Sequence, residues 1–268
     1  MNENERIEIK GVPFRRVSAG RFKMGRLGGD REYAHLNDPV NVQLNKDYWL
    51  SVYPVRNRDF KSFIGRNDDY RSPTGSIEVW NWEWQMGSTF DEYIDRGEDY
   101  PVVGVNFEDA LTFSEWLSDE HFRCRLPTEA EFEYAARAGC GCVHYCEAAA
   151  SCADRLRQYG APCPPFSPPV GASKPNRWGF HDMNGLVWQW CSDYFYYQPA
   201  EELLIDPTGP SSMPAFSPWK GERWPVGRAI RGGSYAYGVL HSRCANRHYS
   251  KEEDRNFNLG FRVVAERI

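Results

Sequence analysis

Short alternating runs dominate the N-terminal part of the chain. Residues 17–25 (VSAGRFKMG) alternate and end at a glycine, which predicts a strand running into a turn. Residues 40–55 hold two more such runs, Val40/Val42/Leu44 and Tyr48/Leu50/Val52. Pro54 then opens a short helix with Phe60 and Phe63 on one face. Two helices are better marked. In 108–119, Ala110, Phe113 and Leu117 fall at helical spacing, with Asn106 and Asp109 as a capping pair. In 126–139, Thr128 stands three residues before Glu131, a capping box, and the helix stops at Gly139. Trp188 and Trp190 alternate with Val187 and Gln189 as on a half-buried strand, and β-like pieces close the chain at 229–235 and 260–266. The pattern is α+β, loop-rich, with two main helices. Residues 1–11 are polar and read as a tail, leaving 12–268 as the domain.

Composition narrows the function classes. Hydrophobic residues make up 41% and charged residues 26%, enough for a sizeable core and too apolar for an obligately disordered chain. The 15 Tyr, 15 Phe and 10 Trp, with 23 Gly and 18 Pro, suit large rings filling an irregular interior. No run approaches the ~18 apolar residues of a membrane span. The N-terminus carries no apolar signal segment, so a cytoplasmic, reducing location is the default, with a virus- or surface-associated setting left open. The net charge of −5 argues against nonspecific nucleic-acid binding, and a monomer is expected.

The motifs are more specific. In order they are FKMG (22–25), PVRNRDFKSF (54–63), PVVGVNFEDALTFSEWL (101–117), RLPTEAEFEYAAR (125–137), PVGASKPNRWGFHDMNGLVWQW (169–190), DPTGP (206–210), RGGSY (231–235), SRCANR (242–247) and LGFRVV (259–264). Together they resemble the formylglycine-generating enzyme, or sulfatase-modifying-factor, domain family over nearly the whole chain. The resemblance implies a C-type-lectin-like fold with a small twisted sheet. Fold alone does not imply activity.

The enzymes of that family hold copper with two thiolates, because Cu(I) favours sulfur. The second thiolate of their motif matches Cys244, whereas the first falls at Val239. His241 is the one nearby substitute ligand, and a buried hydrophobic role for Cys244 is the plainer reading. The family's calcium motif departs too: Leu186 and Gln189 stand where Asn and Glu are usual, and a hard cation needs oxygen ligands. A sulfoxide-forming iron branch of the superfamily needs a His triad, and His35, His121, His144, His181, His241 and His248 show no paired ligand spacing. No catalytic residue, metal or cofactor is therefore expected. Cys140, Cys142, Cys146, Cys152 and Cys163 cluster within 24 residues, where free thiols, disulfides and structural zinc through His144 all fit.

Residues 234–258 suggest recognition. Between the RGGS, RCANR and DRNFNLGFR frames lie Tyr235, Tyr237, Val239, Leu240, His241, Ser242, His248, Tyr249, Ser250, Asn256 and Phe257. Rigid rings with polar tips beside small adaptable residues are the mixture that recognition loops use. This arrangement resembles the variable proteins of diversity-generating retroelements, which present a diversified segment on such a scaffold. Residues 228–268 hold 8 Lys/Arg against 4 Asp/Glu, a net +4 that leaves −9 on the rest. Arg231, Arg243, Arg247 and Arg262 either form a basic face or pair internally. The expected function is noncatalytic binding of a protein or other macromolecular ligand through 234–258. An oxidase with an altered site around Cys244 and a scaffold subunit are the alternatives.

Overall fold

The alternating runs become strands because each places one row of apolar side chains on a core and the other row outward. The computed structural model describes residues 6–27, 39–67, 70, 89–141, 143–144, 167–196, 203–215, 217–219, 222–224, 227–237 and 241–268. The N-terminal strands are β1 (Arg6–Ile9), β2 (Val12–Val17), β3 (Gly20–Met24), β4 (Val40–Leu44) and β5 (Tyr48–Ser51). Helices α1 (Asn57–Ile64), α2 (Phe90–Ile94) and α3 (Phe107–Leu117) follow, then β6 (Phe122–Arg125) and α4 (Glu129–Arg137). The remaining strands are β7 (Trp188–Tyr194), β8 (Leu204–Ile205), β9 (Ser217–Trp219), β10 (Glu222–Trp224), β11 (Arg228–Arg231), β12 (Arg247–Ser250), β13 (Leu259–Phe261) and β14 (Val264–Arg267).

Two sheets carry the architecture. One runs β1-β2-β5-β14-β6, the other β12-β11-β7-β13, with β13 parallel to β7. Smaller sheets are β3-β4-β8 and β10-β9. This is a mixed, sheet-rich and loop-rich fold with few helices among the described residues. Among the described residues no helix is long and apolar enough to cross a membrane.

The helix signals act as their chemistry requires. Asn106 Oδ1 accepts from the Asp109 N–H at 2.9 Å, and Thr128 Oγ1 accepts from the Glu131 N–H at 3.1 Å. Both acidic partners reach back to the cap N–H, completing capping boxes that satisfy otherwise open donors. Ala138 ends α4 in the left-handed region at φ 46°. Phe60 and Phe63 of α1 pack on Phe113 of α3 at ring separations of 5.7 and 5.6 Å, and all three are fully buried. Each such burial is worth about 1.5–3 kcal/mol before entropy is counted.

Two expectations change. Residues 6–9 are strand rather than tail: Ile9 is 3% exposed, and a turn through Gly11 pairs it with Val12. The apolar positions Ile7 and Ile9, two apart, supply the buried face. β7 is buried on both sides over Trp188–Cys191 rather than half-buried. Trp188 and Trp190 join the larger apolar cluster, while Cys191 joins a second one, so β7 lies between two cores. A strand enclosed this way need not show an outward polar row.

Cys140 is disulfide-bonded. Cys142, Cys146, Cys152 and Cys163 lie outside the described residues, as does His35.

Candidate functional site

β11 leads into Gly232 and Gly233, and these two residues set the geometry of the C-terminal segment. Their φ angles are +95° and +68°, a region open to glycine at little cost. A Cβ on Gly233 would stand 2.2 Å from the His241 carbonyl oxygen. The backbones at 233 and 241 are therefore pressed together. The turn is tied down by Gly185 N–H to Gly232 O at 2.9 Å and Tyr235 N–H to Leu186 O at 3.0 Å.

β12 pairs antiparallel with β11, setting His248 opposite Ile230. The His248 ring stacks on Tyr249 at 5.2 Å and lies 5.8 Å from Trp188. Tyr237, 42% exposed, lies 5.3 Å from the His241 ring. These rings wall a groove of about 460 Å³ floored by Trp188, Ile230 and Leu259. Its polar lining comes from Ser250, Lys251, Asp254, Asn256 and Asn258. Asp254 is held by Ser250 Oγ at 2.6 Å and the Lys251 N–H at 2.8 Å, and Asn258 donates to Ser234 Oγ at 3.1 Å.

Of the eleven residues singled out in the sequence, the groove gathers Tyr237, His241, His248, Tyr249, Ser250 and Asn256. Tyr235 is 3% exposed and sits edge-on to the half-buried Phe257 at 6.2 Å, beneath the surface. Ser242 and Ser250 are buried as well. Val239 and Leu240 lie outside the described residues. Sequence reasoning missed Trp188, Ile230 and Leu259, while Lys251, Asp254 and Asn258 fall inside the 234–258 segment that it marked. Trp188 and Leu259 come from strands that read as scaffold, and only their pairing at β7 and β13 places them here.

A layer of buried charge supports this surface. Arg231 is fully buried and pairs with Glu133 and, at 3.4 Å, with Glu129, while its guanidinium also donates to the Cys244 carbonyl at 2.9 Å. Arg247 Nε donates to Glu129 at 2.6 Å. Glu133 additionally accepts from Arg137 Nε and from the Gly25 N–H, both at 2.8 Å. Burial, then the Glu129 charge, pushes the neighbouring Asp193 carboxyl up to about 7. Arg231 and Arg247 thus pair internally rather than forming a basic face, and the buried Arg262 donates to Gln189 and to the Ser51 and His181 carbonyls.

The donor sets for the family's two metals do not fit. Cys244 is 1% exposed, with its sulfur 3.7 Å from Asn184 Oδ1, and its sequence partner position is the aliphatic Val239. One thiol does not make a two-thiolate copper site. At the calcium positions, Leu186 offers no side-chain oxygen, and the Gln189 Oε1 already accepts from Arg262 Nε at 2.6 Å. The Gln189 amide nitrogen donates to the Asp182 carbonyl at 3.1 Å. A guanidinium therefore occupies the one side-chain oxygen that a hard cation would need.

The sulfatase-modifying factor enzyme 1-like domain matches residues 8–267. The chain is 28% identical over 254 residues to the serine/threonine-protein kinase pkn1 of Chlamydia pneumoniae, covering 92% of this chain and 37% of that one. It therefore spans well under half the length of this relative. It is also 28% identical over 297 residues to the formylglycine-generating enzyme of Streptomyces coelicolor, covering 93% of this chain and 88% of the enzyme. Among solved structures, Treponema denticola variable protein 1 superposes with a TM-score of 0.67 at 21% identity over 97% of both chains. That likeness shows the shared fold.

Proposed function

The chain belongs to the sulfatase-modifying factor enzyme 1-like domain family, and from that premise we propose that it binds a protein or other macromolecular ligand, without transforming it, through the groove walled by Tyr237, His241, His248 and Tyr249. The observation that carries this reading is the groove itself. Aromatic rings over an apolar floor, with a polar rim, are suited to binding. In the same segment of the chain the family's pair of soft-metal donors is reduced to the single buried Cys244 thiol. Segment 234–258 supplies most of the walls, which supports its reading as the diversified part of a retroelement-type variable protein. Strands β7, β11 and β13 supply the floor, so side chains on the walls can vary without altering it.

Panning a displayed peptide library against the full chain tests the proposal. Binders recovered this way are expected to lose at least about tenfold in affinity, ~1.4 kcal/mol, against a Tyr237→Ala/His248→Ala double variant. Binders indifferent to both substitutions would contradict it.

A further inference from the structure

The lining of the groove restricts what it can take. Its formal charges are one Lys251 and one Asp254, and the Asp254 carboxylate is already engaged by Ser250 Oγ and the Lys251 N–H. A charged occupant would give up hydration here with little opposite charge in return. The floor of Trp188, Ile230 and Leu259 rewards apolar contact, and the stacked His248 and Tyr249 rings present π surface. A volume of about 460 Å³ falls in the roughly 300–1,000 Å³ range of pockets that enclose small groups. One polar feature is unmet: the buried Oδ1 of Asn256 has no hydrogen-bond partner among the described residues. A buried acceptor without a donor is costly, and an occupant carrying an N–H or O–H would relieve it.

Resting on the recognition reading above, we propose that the groove takes one uncharged aromatic side chain bearing a hydrogen-bond donor, a tryptophan or tyrosine of a protein partner. The ring lies on the apolar floor among the ring walls, and its N–H or O–H serves Asn256. Acid weakens the complex. Burial, with His248 and Arg243 beside it, holds the His241 imidazole below its ordinary value. Tyr237 lies against that ring, and Tyr249, Lys251 and Asp254 complete the charged and titratable lining. An occupant that covers His241 buries it further and opposes its protonation, so by linkage protonation opposes the occupant. Binding is then full while His241 is neutral and falls as pH drops through its titration.

Titrations of the isotope-labelled full chain by NMR, with N-acetyl amides of single amino acids as probes, test this. The tryptophan and tyrosine amides are expected to shift groove resonances saturably and at least about threefold more tightly than the phenylalanine amide, which lacks the side-chain donor. Their affinity should fall about threefold or more between roughly pH 6.5 and 4.5, below the ordinary histidine range, and His241→Gln should remove that dependence. Equal or tighter binding of the lysine or glutamate amide would overturn the inference, as would the absence of any saturable shift. The two readings fail separately. Groove-dependent library binders that lack both tryptophan and tyrosine would leave recognition standing and remove this occupant. Saturable tryptophan binding, with no macromolecular ligand that depends on the groove, would do the reverse.

Discussion

Glu133→Ala is expected to destabilise the fold by about 3–5 kcal/mol, the usual penalty for leaving buried charge uncompensated. Glu133 is fully buried and receives Arg137, Arg231 and the Gly25 N–H. Removing it leaves two buried guanidinium groups without this carboxylate. Thermal unfolding followed by circular dichroism should show the midpoint falling on the order of 10 °C. Glu133→Gln retains the volume and an acceptor oxygen and should fall between the two. A midpoint unchanged in Glu133→Ala would mean that the charge layer beneath the groove is not as drawn. A buried pair is weak evidence for net stability, since an apolar replacement of the whole cluster could do as well. Its contribution here is position: through Arg231 it ties β11 to α4 and to the Cys244 carbonyl, and through Arg247 it ties β12 to the same helix.

Gly233→Ala should have the second largest effect and should couple folding to binding. A φ of +68° in a non-glycine residue costs about 1–3 kcal/mol by itself. The added Cβ would also meet the His241 carbonyl at 2.2 Å, so the backbone at 241 must move. That backbone carries one groove wall. Loss of at least about 1 kcal/mol in a denaturant titration is expected, together with weaker binding of any groove-dependent peptide. Tyr237→Ala, on an exposed ring, should weaken the same peptide and leave stability nearly unchanged. If Gly233→Ala lost neither stability nor affinity, the close approach of 233 and 241 would not be what shapes the site.

Much of the scaffold was legible because its signals are local. Thr128 and Glu131 stand three apart in the chain and cap each other in the fold, as do Asn106 and Asp109. The alternation of Val40, Val42 and Leu44 is the same period-two pattern that buries them in β4. What stayed hidden depends on distant pairing. Trp188 and Leu259 are neighbours through the parallel register of β7 and β13, and no local pattern announces it. The pairing of Arg231 with Glu133 spans 98 residues, so the sequence left open whether the segment's arginines form a basic face or pair inside. The candidate groove was legible in part for the same reason. Its walls lie in one segment, and its floor comes from strands whose apolar residues look like any other core.

The measurement that bears most directly on recognition without chemistry is a paired assay on the purified chain supplied with copper, oxygen and a cysteine peptide. The account predicts that copper does not associate stoichiometrically and that mass spectrometry finds the peptide thiol intact. Tight one-to-one copper uptake, with conversion of the cysteine to an aldehyde, would contradict it.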